Sequence, residues 1–278
     1  MTSGTLRLPG FEELDLAATI TSGQLFRWRQ DDDHAWQGFV GDSALKLAQS
    51  ENGETLYWEA PSEEAVRNFL RLDDIELADL AEEWAGKDMP FAEAWALQPG
   101  VRILRQDPHE CFFSFLCASV APISRISSML CSIAPLGEPF PSLETLDKLP
   151  EAHLRSLGLG FRAPRVVVAA KGRATDGLLA RRGASLAELE DLLTRNSGVG
   201  RKIADCIALF SLDADAAVPV DTHIWQLARA HYAPHLREKA LTAKTYQQAV
   251  DAFSDRFGER AGWAQQILFY RRAVGKDG

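Results

Sequence analysis

A lysine and an aspartate nineteen positions apart are the residues of this sequence best suited to covalent chemistry. Lys202 follows the glycine turn "GVG" at 198–200, and Asp221 ends the segment "VPVD". The positive end of the expected helix dipole, together with Arg201, disfavours the ammonium form of Lys202. An unprotonated amine can form a Schiff base with an electrophilic carbon when a charged partner lies nearby. Solvated surface charge for Lys202 and a helix cap for Asp221 are the alternative roles.

Two expected helices flank the glycine turn. Residues 186–195 and 201–212 are helical in pattern, and the connection "NSGVG" is short enough to require a tight hairpin. Gly198 and Gly200 leave backbone amides uncovered at the start of the second helix, where the dipole favours anions. This helix-hairpin-helix, at about 186–212, predicts a phosphate site that docks DNA without reading its sequence, although such a hairpin can also be only a turn.

Two pairs of residues, each four positions apart, share a face on two expected helices. Lys202 lies with Cys206, and Gln265 lies with Phe269. An aromatic ring and a polarizable thiol can hold a flat base between them, while an amide offers a donor and an acceptor to its Watson–Crick edge. Each of these residues alone also fits ordinary core packing.

The charge distribution suits a nucleic-acid partner over only part of the chain. The formal net charge is −9, but residues 1–95 carry 20 acidic against 7 basic side chains, and the remainder carries 19 against 23. Within 155–182, seven Lys or Arg accompany a single acid, Asp176. We expect an anion-binding face there, with simple solvation as the alternative.

Composition indicates a globular, intracellular protein. Its 278 residues can bury a large core, and 46% of them are hydrophobic. No apolar run approaches a bilayer span, and the N-terminus lacks a secretory pattern, so we expect no membrane association. The spacing of the four cysteines matches neither a disulfide framework nor a metal site. We therefore expect reduced thiols. Schiff-base chemistry at a lysine needs no metal and no cofactor, although the backbone carbonyls of a glycine hairpin can hold a structural monovalent ion.

The elements that must position these residues indicate an α+β fold. Four β-prone segments separated by turn residues predict an antiparallel meander. These segments are 24–29, 35–40, 44–48 and 55–59. From residue 62 onward helical periodicity dominates, with Pro and Gly between the helices. We expect a small, mostly antiparallel β domain over 1–92, then a helical bundle over 93–278 that contains the helix-hairpin-helix.

Five separated motifs resemble, in order, those of the 8-oxoguanine DNA glycosylase family, a branch of the helix-hairpin-helix glycosylases. They are "SGQLFRW" (22–28), "FSFLCAS" (113–119), "LGLGFRA" (157–163), "ADCI" (204–207) and "AGWAQQILF" (261–269). Together with GVG-x-K and "VPVD", the resemblance runs from about residue 20 to 270. The absence of a tight four-cysteine cluster near the C-terminus argues against the adenine-specific and endonuclease III-like branches.

The resemblance implies a bifunctional DNA glycosylase and AP lyase that excises 8-oxoguanine from duplex DNA by base flipping. Lys202 is the expected nucleophile, and Asp221 is expected to stabilise charge on the sugar. The expected pocket residues are Gly23, Cys206, Gln265 and Phe269, with the Gly23 carbonyl accepting from N7–H of the base. A glycosylase for other damaged bases and a non-catalytic DNA-binding module remain alternatives.

The resemblance also implies contacts with DNA. Phe161 is the expected wedge that fills the gap left by the flipped base, and Arg162 and Arg125 are the expected contacts with the orphaned cytosine. His223 is expected near the phosphate of the damaged nucleotide. Gly198 and Gly200 are expected to contact DNA at the hairpin. The chain departs from the family at Val120, Ala121 and Pro122, which replace its usual asparagine-rich stretch. We therefore expect opposite-base selectivity to be looser, or to rest on the two arginines. The expected partner is double-stranded DNA containing oxidised guanine, bound by a monomer.

Overall fold

The computed structural model describes residues 1–135 and 137–273 and contains a five-stranded antiparallel sheet. The strands are β1 Thr2–Arg7, β2 Arg29–Gln30, β3 Trp36–Val40, β4 Ser43–Gln49 and β5 Thr55–Ala60, in the order β1-β5-β4-β3-β2. The meander and the succeeding helices confirm the α+β prediction. Residue 136 and residues 274–278, the end of the expected helical domain, lie outside the described residues.

The prediction of a strand over 24–29 was wrong except at its last residue. Phe26 packs edge-on against Phe115, with ring centroids 5.5 Å apart. Trp28 stacks on Phe69 with ring centroids 5.0 Å apart. The alternation of apolar residues therefore reflects packing against two cores and not a hydrogen-bonded ladder.

The edge strand β1 was not predicted from the sequence. Only Leu6 among its six residues is buried, so the strand lacks the alternation that marks one buried face. Its register pairs Gly4 with Trp58 of β5. A Cβ on Gly4 would lie 2.6 Å from the Trp58 ring, so the indole packs directly over the strand backbone. Contacts with a residue far along the chain thus define β1.

Fourteen α-helices lie in the described part of the chain. They are α1 Leu16–Thr21, α2 Glu63–Leu70, α3 Leu77–Ala85, α4 Met89–Leu97, α5 Pro108–Cys117, α6 Ile123–Ile133, α7 Leu143–Asp147, α8 Glu151–Ser156, α9 Ala163–Lys171, α10 Leu186–Thr194, α11 Arg201–Ser211, α12 Thr222–Leu227, α13 Ala243–Phe257 and α14 Ala261–Ala273. Ser62 caps α2 by accepting from the Ala65 backbone N–H at 3.1 Å. No helix in these residues is long and apolar enough to span a membrane.

Two hydrophobic clusters stabilise the fold. The smaller joins the sheet to α2 and includes Leu47, Leu56 and Phe69. The larger fills the helical part and includes Phe112 and Ile207. These two clusters form the cores of the sheet part and of the helical part. The predicted domain boundary at residue 92 stays a prediction.

Candidate active site

The predicted hairpin is formed by α10, α11 and the residues between them. Gly198 has a φ of +87°, a conformation that glycine adopts readily, and a Cβ there would lie 2.5 Å from Arg165 Cδ. Gly200 is the N-cap of α11 and has no side chain with which to cap the helix. A Cβ at this position would meet open space. Among the described residues, no side chain caps the first turn of α11, so its amides are open to a ligand.

The neighbouring cations Arg201 and Lys202 leave α11 in different directions because successive helical residues are about 100° apart. Arg201 Nε lies 2.9 Å from Glu190 Oε1, and the guanidinium lies 5.3 Å from the ring centroid of Tyr246. Lys202 Nζ lies 5.6 Å from the Phe115 centroid and forms no ion pair within the described chain. Arg201 therefore stabilises the fold, whereas no carboxylate holds Lys202.

One cavity brings together all six residues predicted to act on the sugar or the base. It is lined by Lys202, Cys206, Asp221, Gln265, Phe269 and Gly23. Phe115, Phe210, Pro219 and Gln266 complete its walls and were missed by sequence reasoning, since each reads as core packing or a turn. The cavity measures about 40 Å³, well below the roughly 300 Å³ of small ligand pockets. A base enters only if part of the wall moves.

Asp221 commits one carboxylate oxygen to the fold. Its Oδ1 accepts from the Ile224 backbone N–H at 2.8 Å, which confirms the predicted cap of α12. Within the described chain, Oδ2 has no hydrogen-bond partner. The same side chain can therefore cap a helix and present negative charge to the cavity.

Cys206 and Gln265 line the cavity from buried positions, 3% and 2% exposed. Burial raises the pKa of the Cys206 thiol to about 11, against the opposing effect of Lys202, so the thiol is neutral at physiological pH. Gln265 Oε1 is buried without a hydrogen-bond partner among the described residues. An unpaired buried acceptor costs about 1–3 kcal/mol, so this oxygen is prepared to accept from a ligand.

Gly23 occupies a turn that packs against the cavity wall. Its φ is +82°, and a Cβ there would lie 3.0 Å from Ile123 Cδ1 and 3.4 Å from Phe269 Cε1. Gln266 Nε2 donates to the Ser22 carbonyl at 3.0 Å and ties this turn to α14. Sequence reasoning missed this role of Gln266, although the adjacent glutamines in "AGWAQQILF" were an available signal.

The expected wedge and one expected cytosine contact lie outside the cavity. Phe161 is 50% exposed, and the Arg162 guanidinium lies 4.3 Å from its ring centroid. Arg162 is buried and donates to the carbonyls of Ser119 and Val120. In this structure Arg162 supports the loop that precedes α6, and its contact with DNA stays a prediction.

The other residues expected to contact DNA lie near this loop or near the cavity. Arg125 Nη2 donates to the Gly158 carbonyl at 2.8 Å. The His223 ring lies edge-on to Phe269, with centroids 6.0 Å apart, and so adjoins the cavity wall. Their contacts with DNA also stay predictions.

The structure divides the basic stretch 155–182. Arg173 pairs with two carboxylates, and Arg182 donates to two backbone carbonyls. Arg165 packs against Gly198 and lies beside the hairpin. The cations available to an anion are therefore fewer than the sequence indicated.

A larger cavity lies away from the predicted residues. It measures about 790 Å³ and lies between α4, α13 and residues 231–235. Its lining includes the carboxylates of Asp88, Asp251 and Asp255. Arg256 pairs with Asp88 at 2.7 Å, whereas Asp251 and Asp255 form no ion pair within the described chain, and no residue predicted to act on DNA lines this cavity.

Asp205 is a buried carboxylate on α11, 1% exposed. Tyr246 Oη donates to its Oδ2 at 2.5 Å, and Arg201 Nε lies 3.5 Å from its Oδ1. Desolvation outweighs these partners and raises the pKa of Asp205 to about 6. The ionised form is therefore disfavoured in the folded protein relative to the unfolded chain.

Asp205→Asn is expected to remove a pH dependence of stability. The folded protein binds this proton more tightly than the unfolded chain does, so the wild type loses stability as pH rises from about 4 to about 6. Across that interval the stability of D205N relative to wild type is expected to rise by about 2 kcal/mol and then level off. Urea unfolding of both proteins at about pH 4.5 and about pH 7.5 measures the change. A difference that does not vary with pH contradicts the expectation.

The chain is similar to known DNA repair proteins. Residues 8–112 match the model of the 8-oxoguanine DNA glycosylase N-terminal domain. The N-glycosylase/DNA lyase OGG1 of Arabidopsis thaliana is 36% identical, with 92% of this chain and 77% of that protein covered. The N-glycosylase/DNA lyase of Saccharomyces cerevisiae is 31% identical, with 96% and 85% covered. The solved structure of MBOgg1 in complex with a low-affinity DNA ligand has a TM-score of 0.85 and 27% identity, covering 99% and 97%.

Proposed function

Because the chain belongs to the 8-oxoguanine DNA glycosylase family, we propose that it is an N-glycosylase and DNA lyase that excises 8-oxoguanine from duplex DNA. One observation carries the proposal. An amine, a carboxylate, a thiol, an amide, an aromatic ring and a glycine turn, from four separate stretches of chain, line a single cavity. These are the groups that base recognition and Schiff-base chemistry require.

The chemistry begins at Lys202. Its Nζ attacks C1′ of the damaged nucleoside, the C1′–N9 bond breaks, and the base leaves with the bonding electrons and takes up a proton. The sugar ring opens as nitrogen and C1′ form a Schiff base. Loss of a C2′ proton then lets the C3′–O3′ bond break and release the 3′ phosphate. The unpaired oxygen of Asp221 stabilises the positive charge that develops at C1′.

The same cavity recognises the base. Cys206 and Phe269 contact its two faces, and Gln265 bonds its Watson–Crick edge. The Gly23 carbonyl accepts from N7–H, a proton that guanine lacks. One such bond is worth about 1–3 kcal/mol, so rejection of guanine also depends on extrusion of the base and on the chemical step.

The surface around the cavity docks the duplex. The uncapped backbone amides after Gly200 bind phosphate. The half-exposed Phe161 side chain fills the gap that the flipped base leaves in the base stack. Arg125 and Arg162 contact the orphaned base, and His223 lies near the phosphate of the damaged nucleotide. In this proposal the protein acts on DNA as a monomer, since the residues assigned to the chemistry and to the base all belong to one cavity of one chain.

Borohydride trapping tests the proposed function. The purified protein is incubated with a duplex that carries one 8-oxoguanine opposite cytosine, and with an undamaged duplex of the same sequence. We expect a covalent protein–DNA product and free 8-oxoguanine only from the first. Release of a base from the undamaged duplex, or binding of both duplexes without cleavage, contradicts the proposal.

Val120→Asn is expected to sharpen opposite-base selectivity. Val120 is 95% exposed, has a φ of +53°, and stands where the family usually carries asparagine. Asparagine tolerates this conformation better than valine and adds an amide toward the orphaned base. A hydrogen bond worth about 1–3 kcal/mol raises the preference for cytosine over adenine about tenfold. Excision rates from both duplexes measure this, with Val120→Thr, which has no amide, as the control, and equal preferences in the two variants refute it.

A further inference from the structure

A buried hydrogen-bond path connects the two elements that carry Lys202 and Asp221. The hydroxyl of Tyr246, on α13, lies between α11 and the segment that ends at Asp221. It donates to Asp205 Oδ2 at 2.5 Å and accepts from the Val220 backbone N–H at 3.0 Å. Tyr246, Asp205 and Val220 are 6%, 1% and 1% exposed. These bonds are therefore shielded from water in the folded protein.

We propose that Tyr246 is a positioning residue that holds the Asp221 carboxylate at its working distance from Lys202, by joining Val220 to Asp205. The proposal rests on the proposed function, in which both residues act at C1′. Asp205 lies three residues after Lys202 on α11, and Val220 immediately precedes Asp221. A single hydroxyl therefore links the backbones on which the reacting groups are mounted.

The surroundings of Tyr246 keep it in this role. Burial and the Asp205 carboxylate raise the pKa of Tyr246, so the phenol stays protonated and continues to donate. The Arg201 guanidinium lies over the Tyr246 ring. Arg201 Nη1 also donates at 3.0 Å to Gln247, which lies next to Tyr246 on α13. The ring is thus held from one side while its hydroxyl bonds on the other.

Loss of the hydroxyl is expected to act on rate more than on binding. Without it, Asp205 loses a donor and the Val220 N–H loses its acceptor, so the loop that carries Asp221 is free to shift. A displacement of about 1 Å between reacting groups can reduce a rate about a hundredfold. The hairpin amides and Phe161 lie elsewhere, so affinity for the duplex is expected to remain within about twofold of wild type.

The test compares Tyr246→Phe with Tyr232→Phe. Tyr232 Oη donates to the buried carboxylate of Asp88 at 3.0 Å, so the control removes the same kind of bond away from the cavity that Lys202 lines. Single-turnover borohydride trapping is measured on a duplex with an abasic site, which needs no particular base, and on the 8-oxoguanine duplex. We expect trapping by Y246F to be at least about tenfold slower on both duplexes and trapping by Y232F to match wild type.

Substitutions of Asp205 separate positioning from general loss of structure. D205L is expected to slow trapping as Y246F does, and the double variant is expected to be no slower than either single variant, because both remove one path. D205N keeps an acceptor for the Tyr246 hydroxyl and is expected to recover most of the rate. Additive losses, or equal rates for Y246F and Y232F, overturn the positioning role. Normal wild-type trapping on the abasic duplex without release of 8-oxoguanine overturns only the proposed substrate, and a wild type trapped on neither duplex overturns both proposals.

Discussion

A Lys202→Ala variant is expected to form no borohydride-stable product with an 8-oxoguanine duplex and to cleave its strand at least about 10³-fold more slowly than wild type. The reason is geometric. Within the described chain, Lys202 supplies the amine that lines the cavity, and no carboxylate holds it in an ion pair. The buried thiol of Cys206 cannot substitute, because its raised pKa keeps it protonated and sulfur does not form a Schiff base. Gel mobility of the trapped product and single-turnover cleavage measure the two effects.

Lys171→Ala is the matched control for loss of positive charge. Lys171 is an exposed cation at the end of α9, within the basic stretch. Its removal is expected to weaken binding slightly, so that a higher protein concentration is needed to bind half of the duplex. The cleavage rate at saturating protein is expected to stay unchanged. A trapped product from K202A contradicts the assignment of the nucleophile and requires another amine to reach the sugar.

Asp221→Asn is expected to slow base release about 10²-fold to 10³-fold while leaving stability nearly unchanged. Asparagine caps helices about as well as aspartate, so the bond to the Ile224 N–H is retained. The variant loses only the negative charge that faces the cavity through Oδ2. Single-turnover release of 8-oxoguanine at saturating protein measures the rate, and thermal unfolding measures the stability.

Two further variants separate the charge of Asp221 from its cap. Asp221→Ala removes both and is expected to cost about 1 kcal/mol of stability in addition to the rate. Asp107→Asn changes a cap of the same geometry at α5, where Asp107 Oδ1 accepts from the Glu110 N–H at 3.0 Å outside the cavity lining. If D221N and D107N both keep the wild-type rate, Asp221 is a cap only and the proposed charge stabilisation is wrong.

Features that depend on neighbours along the chain could be predicted from the sequence. The helical repeat put Lys202 with Cys206 and Gln265 with Phe269, because positions four apart share a face whatever the rest of the fold does. Asp221 was identified as a cap for the same local reason, and three of the four predicted strands were confirmed where turn residues bound them. The resemblance then related these local units to one another, and the structure places six of the residues that it assigned in the lining of one cavity.

Features that depend on distant partners required the tertiary structure. The stretch 24–29 alternates like a strand, yet its rings pack into two cores. The resemblance implied a DNA contact for Arg162, but only the structure showed that its side chain is buried and donates to the carbonyls of a loop more than forty residues earlier. The sequence identified Lys202 and not Arg201 as the expected nucleophile, but only the structure showed that Glu190 and Tyr246 lie beside Arg201.

The position of Tyr246 between Asp205 and Val220 had no sequence signal at all. Its partners lie 41 and 26 residues away, and the hydroxyl meets them only because α13 packs against α11 and the loop before α12. Local periodicity and capping determine which side chains share an element, since they involve residues within one or two turns. Which elements face each other depends on how the whole chain buries its apolar surface, and that is decided only when the entire core is packed.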